Sequence, residues 1–218
     1  MNEPTRKRTL YTRPERISDA AVHVIGTALA LMAVPVLITL TATRAPEPYA
    51  IAGIAIYGAA LIACMGCSAA YNMLSVPGWN GVLRRLDHSA IYVKIAGTFT
   101  AFILLAGTGV WLIVALWAAA LTGVVLKVAA PHRFEWFGFG LYIAMGWVGV
   151  GLGWPIFAQM SGPVLALVCL GGLTYTAGTL FYLRHMMPFH RTIWHVFVLV
   201  ASGTFYAAVT VHMVQSTG

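Results

Sequence analysis

Seven long apolar stretches fill most of the chain, and they constrain its fold more than any other feature of the sequence. A helix that crosses a membrane needs about 20 mainly apolar residues. The stretches that meet this length run roughly over residues 18–43, 48–74, 83–107, 109–128, 134–156, 163–184 and 191–214. Turn-forming Pro and Gly residues lie at most of the breaks between them. We therefore predict an all-α membrane protein, with seven transmembrane helices over residues 18–214 and a basic tail over residues 1–17.

The composition supports a membrane protein and excludes other classes. Of the 218 residues, 60% are hydrophobic and only 9% are charged, whereas an average soluble domain is about 25% charged. So few charged side chains could not cover the surface of a soluble domain of this size. The composition therefore excludes a soluble enzyme and a disordered chain, and the net charge of +7 has to be explained within a membrane.

The distribution of Lys and Arg predicts the orientation of the helices. Eleven of the 13 basic residues lie in or next to the N-terminal tail and the connections after spans two, four and six. These segments all lie on the same side of the membrane in the predicted topology. The exceptions are Arg44, on the opposite side, and Lys94, inside the third span. Since cytoplasmic connections carry the excess of Lys and Arg, we predict a cytoplasmic N-terminus and a C-terminus outside. The positive charge is then a signal of topology and not of binding to nucleic acid.

Polar and ionisable residues gather near the ends of four predicted spans. They are Asp19 and His23 in span one, Ser68 and Asn72 in span two, Asp87 in span three, and His190, Arg191 and His195 in span seven. Residues four apart share one face of a helix, and the predicted topology brings all four helix ends to the cytoplasmic leaflet. Because such residues are costly in a membrane and usually functional, they predict a polar site there.

Lys94 is the most deeply placed ionisable residue. It lies about eleven residues inside the third span, which corresponds to roughly 16 Å at 1.5 Å per residue. Lys94 follows Asp87 by seven positions, so the two side chains share a helix face. Two interpretations are open: a wet cavity reaches inward from the polar site to Lys94, or the lysine reaches the membrane surface or pairs with a carboxylate such as Asp19.

Several stretches of the sequence resemble one known family of membrane proteins. They include residues 86–92 (LDHSAIY), 95–100 (IAGTFT), 141–147, 171–178 and 193–199 (IWHVFVL). In order and content they are similar to the haemolysin III proteins, the bacterial branch of the progestin and adiponectin receptor family. The resemblance implies seven spans in the bacterial inner membrane. It also implies a zinc ion near the cytoplasmic face, which would activate water to hydrolyse a lipid amide, as in ceramidases.

The sequence departs from the family at the implied zinc ligands. The family places one histidine at the end of span two and two at the start of span seven, which correspond here to Asn72, Arg191 and His195. Zinc prefers imidazole, thiolate or carboxylate ligands, and arginine is never deprotonated in proteins. Only His195 is retained. Ser68 and Asp87, the residues that the resemblance implies are catalytic, are both present.

In a first interpretation, the metal site is rebuilt from neighbouring residues. His190 would turn inward to join His195, and His23 would supply another imidazole. Asp87 would add a carboxylate, with Asp19 in a supporting role. Zinc accepts this set of donor types, so the chain would still hold the metal.

In a second interpretation, the metal is lost and Arg191 replaces it. The guanidinium would pair with Asp87, and Asn72 would be a hydrogen-bond partner. Bidentate pairing with a carboxylate is what arginine does best when it is partly buried. The two substitutions would then be explained together, because an amide replaces a ligand that has no metal to bind.

Three functions follow from these interpretations. The first is a zinc-type hydrolase that acts on membrane lipid, and the second is a non-catalytic sensor or regulator of lipid composition. The third is the cytolysis that the family name suggests. Membrane lipids are the expected partners in all three. The glycines Gly146, Gly149, Gly151 and Gly153 would also allow helices to approach closely, within the chain or in a homodimer.

Overall fold

The computed structural model describes residues 11–74, 76–129 and 135–216, and within these ranges every regular element is an α-helix. The helices are α1 (Arg13–Arg44), α2 (Pro48–Met73), α3 (Asn80–Ala106), α4 (Val110–Ala129), α5 (Glu135–Leu152), α6 (Trp154–Phe157), α7 (Gly162–Leu183) and α8 (His190–Gln215). The basic residues Arg6, Lys7, Arg8 and Arg133, on which part of the predicted orientation depends, lie outside the described residues.

Six of these helices are long and apolar enough to cross a membrane, namely α1, α2, α3, α4, α7 and α8. Helix α5 is also apolar but shorter, over residues 136–152. Many large apolar side chains point away from the bundle, among them Val24, Leu31, Val114 and Leu121. The expectation of an all-helical, multi-pass membrane protein is therefore confirmed.

The helices differ from the predicted spans at two places. Helix α1 begins at Arg13, within the predicted tail, because Thr12 and Glu15 cap it reciprocally: the Glu15 side chain accepts from Thr12 N–H, and Thr12 Oγ1 accepts from Glu15 N–H. The stretch predicted as one span over 134–156 is interrupted at Gly153. Pro155 explains the interruption, since its ring would clash with the carbonyl of Gly151 in a continuous helix.

Helix α3 is at the centre of the bundle and packs against α2, α4, α5 and α8. Its most apolar window is 72% buried, whereas those of the other five candidate spans are 22–50% buried. Gly97 allows the close approach of α2, because a Cβ atom there would lie 2.8 Å from the Cβ atom of Ala60. Packing of this kind holds membrane helices together, since lipid tails are as apolar as the helix surfaces.

The bundle closes where α8 packs against α1, α3 and α7. This closure brings the start of α8 to the start of α1 and to the end of α2. The end of α2 also lies beside the start of α3, where the rings of Tyr71 and His88 are 6.4 Å apart. The helix ends that carry most of the polar residues therefore meet at one end of the bundle.

Candidate functional site

Helix α1 presents three polar side chains on its buried face. Glu15, Asp19 and His23 follow one another at intervals of four residues, and all three are buried. The capping box at Thr12 sets where the helix begins, and the spacing of four residues places the three side chains on one face. Without the cap, the first turn would have unsatisfied N–H groups at its start.

Helix α8 begins beside this face and is held there by hydrogen bonds. Glu15 Oε1 accepts a hydrogen bond of 2.9 Å from the backbone N–H of Phe189, the residue that precedes α8. One turn further along each helix, the hydroxyl groups of Ser18 and Thr192 lie 3.0 Å apart. These contacts align the two helices, which are separated by most of the sequence, and position His195 next to Asp19.

Asp19, His23 and His195 form a compact cluster between α1 and α8. His195 Nδ1 lies 2.6 Å from Asp19 Oδ1, and His23 Nε2 lies 3.7 Å from Asp19 Oδ2. The centres of the two imidazole rings are 4.3 Å apart. One ligand atom from each of the three residues lies within 4.8 Å of the others. A single carboxylate therefore lies between two imidazoles.

The cluster offers donors that fit a zinc ion. Zinc binds imidazole nitrogen and carboxylate oxygen, and catalytic sites commonly use three protein ligands. His23 Nε2 is buried and has no hydrogen-bond partner among the described residues, which is unusual for a buried polar atom. A metal coordinated by these residues would satisfy that nitrogen.

Asn72 and Arg191, at the ligand positions that the resemblance implies, bind each other instead. Arg191 Nη2 donates to Asn72 Oδ1, and the guanidinium lies 4.7 Å from the centre of the Tyr11 ring. Asn72 Nδ2 donates to the backbone oxygen of Ser68 at 2.8 Å and approaches Ser68 Oγ at 3.4 Å. These contacts connect Arg191 to α2 and leave His195 to the α1 residues.

Two residues proposed above for the site lie apart from the cluster. His190 is buried at the start of α8, where its Nδ1 lies 3.1 Å from Met187 O and its Nε2 lies 3.5 Å from the Tyr11 hydroxyl. Asp87 is half-buried on α3. The structure shows no ion pair between Asp87 and Arg191, and the guanidinium bonds instead to the Asn72 oxygen on α2. Asp19, and not Asp87, is the carboxylate beside the two imidazoles.

Lys94 is buried near the middle of α3, and only 5% of its surface is exposed. Its Nζ donates to the Tyr175 hydroxyl and, at 2.5 Å, to Ser202 Oγ. The Ser202 hydroxyl in turn donates to Val198 O. The suggested pairing of Lys94 with Asp19 is wrong, since both of its hydrogen-bond partners in the described chain are neutral hydroxyl groups.

One cavity of about 530 Å³ connects most of these residues. Its polar end is lined by His23, Ser68, Asn72, Asp87, His190, Arg191 and His195, and Lys94 lies on its wall. His195 precedes Ser202 on α8, and Asp87 precedes Lys94 on α3, by seven positions each. Seven residues of helix span about 10 Å, so Lys94 lies deeper than the polar end. Beyond it the cavity is apolar, with Phe99, Phe102, Phe157 and Phe205 in its wall.

Sequence reasoning predicted Asn72 as a partner of Arg191 but missed the other neutral partners of Arg191 and Lys94. Tyr11, Tyr175 and Ser202 are common residue types, and nothing in their spacing distinguishes them from ordinary helix residues. Ser202 follows His195 by two helical turns on the same face, which is the only signal that could have indicated it. Tyr11 lies outside every apolar stretch and has no such signal.

The fold and the site together define a class of protein. The chain is a multi-pass helical membrane protein with a cluster of one carboxylate and two imidazoles, and the two imidazoles line the polar end of a largely apolar cavity. The family described as "Haemolysin-III related" matches residues 12–206, and the chain belongs to this family. The resemblance found from the sequence is thereby confirmed.

Two curated relatives cover nearly the full length. The "Hemolysin-3 homolog" of Bacillus subtilis (strain 168) is 35% identical over 209 residues, which are 94% of this chain and 98% of the relative. The "Hemolysin-3" of Bacillus cereus is 30% identical over 219 residues, which are 99% of each chain. This chain is therefore similar to both from end to end.

Replacing Lys94 by methionine should stabilise the protein. A buried charge that lacks a partner of opposite charge is costly, and an apolar side chain of similar length removes that cost. Tyr175 and Ser202 lie 3.0 Å apart, so their hydroxyl groups keep each other as partners. We expect the thermal midpoint of Lys94→Met in lipid-free detergent to rise by about 2–4 °C for each kcal/mol gained.

Lys127→Met is the matched control, because Lys127 is half-buried near the end of α4 and its charge lies closer to water. The control should leave the midpoint unchanged or lower it. A lower midpoint for Lys94→Met than for the unaltered protein would contradict the assignment of Lys94 as a cation without a counter-charge.

Proposed function

We propose that this chain is a metal-dependent hydrolase of the bacterial inner membrane that cleaves an amide or a related bond of a membrane lipid. Asp19, His23 and His195 would hold a zinc ion. The observation that carries the proposal is the cluster of these three donors, whose two imidazoles line the polar end of a cavity with an apolar other end. A lipid could place its acyl chain among the phenylalanine rings and its polar linkage at the donors.

Each residue of the site would have a separate role in hydrolysis. Asp19 and His23 would ligate together with His195, and zinc would supply Lewis-acid activation of a water molecule for hydrolysis. Asp87, on the wall of the cavity, would accept a proton through its carboxylate. Ser68 Oγ is approached by Asn72 Nδ2, which leaves the Ser68 hydroxyl proton for the carbonyl oxygen of the lipid. The apolar walls would exclude bulk water.

The bond between Arg191 and Asn72 supports a second candidate function. The two substituted family positions satisfy each other, as expected if a fixed cation had replaced the metal. The chain would then be a non-catalytic sensor or regulator of lipid composition. The name of the Bacillus cereus relative suggests haemolysis for that protein. Cytolysis is therefore a third candidate function for this chain.

We further propose seven membrane crossings, with α5 and α6 together making the fifth. The N-terminus would then be cytoplasmic and the C-terminus outside, as the excess of Lys and Arg predicts. An alkaline phosphatase fused after Gln215 should be active outside the cell. The same enzyme inserted between α7 and α8 is the control and should be inactive. If the C-terminal fusion were inactive, α5 would not cross the membrane and the topology would be wrong.

The purified protein should bind about one zinc ion per chain, as expected for a site with three protein ligands. His195→Ala should lower the affinity for zinc at least about tenfold, since it removes a ligand from a preformed site. His190→Ala is the matched control and should retain zinc, because His190 lies outside the cluster. Elemental analysis and competition with a chelating dye measure both. If the unaltered protein held no zinc, or if His190→Ala lost as much as His195→Ala, the proposed ligand set would fail.

The zinc-loaded protein should release fatty acid from a ceramide-like lipid with a labelled acyl chain. Loss of a general acid or base lowers rates about 100-fold or more, so Ser68→Ala and Asp87→Ala should be nearly inactive. Ser89→Ala is the control, because the buried Ser89 hydroxyl has no described partner and does not line the cavity. Zinc binding without any hydrolysis would favour the sensor instead.

A further inference from the structure

The cavity wall carries more positive than negative charge. Among the described residues, Arg84, Lys94, Lys127 and Arg191 line it, and Asp87 is the lining carboxylate. Asp19 lies behind the two imidazoles and already contacts both of them. A cavity with this balance of charge favours an anionic ligand over a neutral or cationic one.

Arg191 is the lining cation whose geometry best suits a ligand. Its guanidinium is held in place by the Asn72 oxygen and by the face of the Tyr11 ring, and neither of these partners carries a charge. One of its five N–H donors is used by Asn72, and no carboxylate of the described chain pairs with it. A guanidinium fork that is fixed on one side can bind two phosphate oxygens on the other.

The position of Arg191 indicates the level of the anion in the membrane. Arg191 is the second residue of α8, so it lies at the end of a candidate span, where lipid head groups are found. Arg84 and Lys127 also line this cavity. Each has an interaction partner of its own, and both would add long-range attraction. Several cations at one level suit a phosphate group, which offers more negative charge than a carboxylate.

The remainder of the cavity suits one acyl chain. A volume of about 530 Å³ is within the range of sites for single small ligands. Beyond Lys94 the walls are mainly apolar and include Phe102, Phe157 and Phe205. A ligand with a phosphate at the mouth and one hydrocarbon chain inward would satisfy both ends.

We propose that Arg191, with Asn72 and Tyr11 as its supports, binds the phosphate group of a single-chain phospholipid whose acyl chain fills the cavity. If the chain is the proposed hydrolase, this lipid class would be its substrate, and that identification rests on the proposed function. The binding of the lipid does not rest on it. Binding itself requires no metal. A binding experiment on metal-free protein therefore separates the failure of this inference from the failure of the hydrolase.

The experiment compares ligands that differ in one group. The full chain in neutral detergent, treated with EDTA, is titrated with lysophosphatidate and with the monoacylglycerol of the same acyl chain. Native mass spectrometry gives both dissociation constants. We expect lysophosphatidate to bind at least about tenfold tighter, a difference typical of one charge-assisted contact. Equal affinities would overturn the proposal, even if a neutral ceramide-like lipid were hydrolysed.

Variants of Arg191 test which residue makes the difference. Arg191→Gln should abolish the preference for lysophosphatidate, and Arg191→Lys should retain only part of it, because lysine lacks the planar fork. Arg184→Gln is the matched control: Arg184 is exposed just after α7 and does not line the cavity. If Arg184→Gln weakened binding as much as Arg191→Gln, the effect would be general attraction and the proposal would be wrong.

Two further ligands separate the sources of the anion. Inorganic phosphate alone should bind far more weakly than lysophosphatidate, and the free fatty acid of the same chain should bind no better than the monoacylglycerol. Tight binding of inorganic phosphate would show that the site binds a free anion and does not require the acyl chain of a lipid. Fatty acid binding as tight as lysophosphatidate would show that the site does not recognise phosphate. Either result would overturn the assignment.

Discussion

The contacts of two carboxylates with the start of α8 are the interaction on which the rest of the site depends. Glu15 accepts the N–H that precedes α8, and Asp19 lies 2.6 Å from His195. Both bonds join the first helix to the last across most of the sequence. Charge-assisted hydrogen bonds are roughly twice as strong as neutral ones, and few competing waters reach them at this burial. If they were broken, His23 and His195 would separate and the polar end of the cavity would open.

The same closure explains how the chain brings together a cluster of metal-binding type although it lacks two of the ligands that the resemblance implies. Asn72 and Arg191 occupy positions where the resemblance implies histidine ligands, and they form a hydrogen bond with each other. The donors that remain close together come from α1 and α8 instead. The polar end therefore contains two separate groups: the Asp19 cluster suits a cation, and the Arg191 guanidinium suits an anion. A lipid with an anionic head and a cleavable linkage would contact both.

The fold and the polar end of the bundle were predictable in outline, but several details were not. Apolar stretches of membrane length predicted the all-helical class, and the residues of the third and seventh spans predicted the family. The interruption at Gly153 was missed because hydropathy alone does not distinguish a broken helix from a continuous one. The predicted hydrogen bond between Arg191 and Asn72 is found, but the predicted ion pair with Asp87 is not. The partners of Lys94 were missed, since the alternative of a carboxylate partner is replaced by neutral hydroxyl groups.

The sequence by itself determined that the chain lies in a membrane, roughly where its helices run, and which polar residues share a helix face. These properties depend on residues within a few turns of one another. Only the tertiary structure decided that Asp19, and not Asp87, stands beside His195, and that Lys94 bonds to the hydroxyl groups of Tyr175 and Ser202. Helix spacing fixes which way a side chain points on its own helix. Which groups meet between helices depends on how each helix is rotated about its axis and how deep it lies in the membrane. Local sequence patterns determine neither of these.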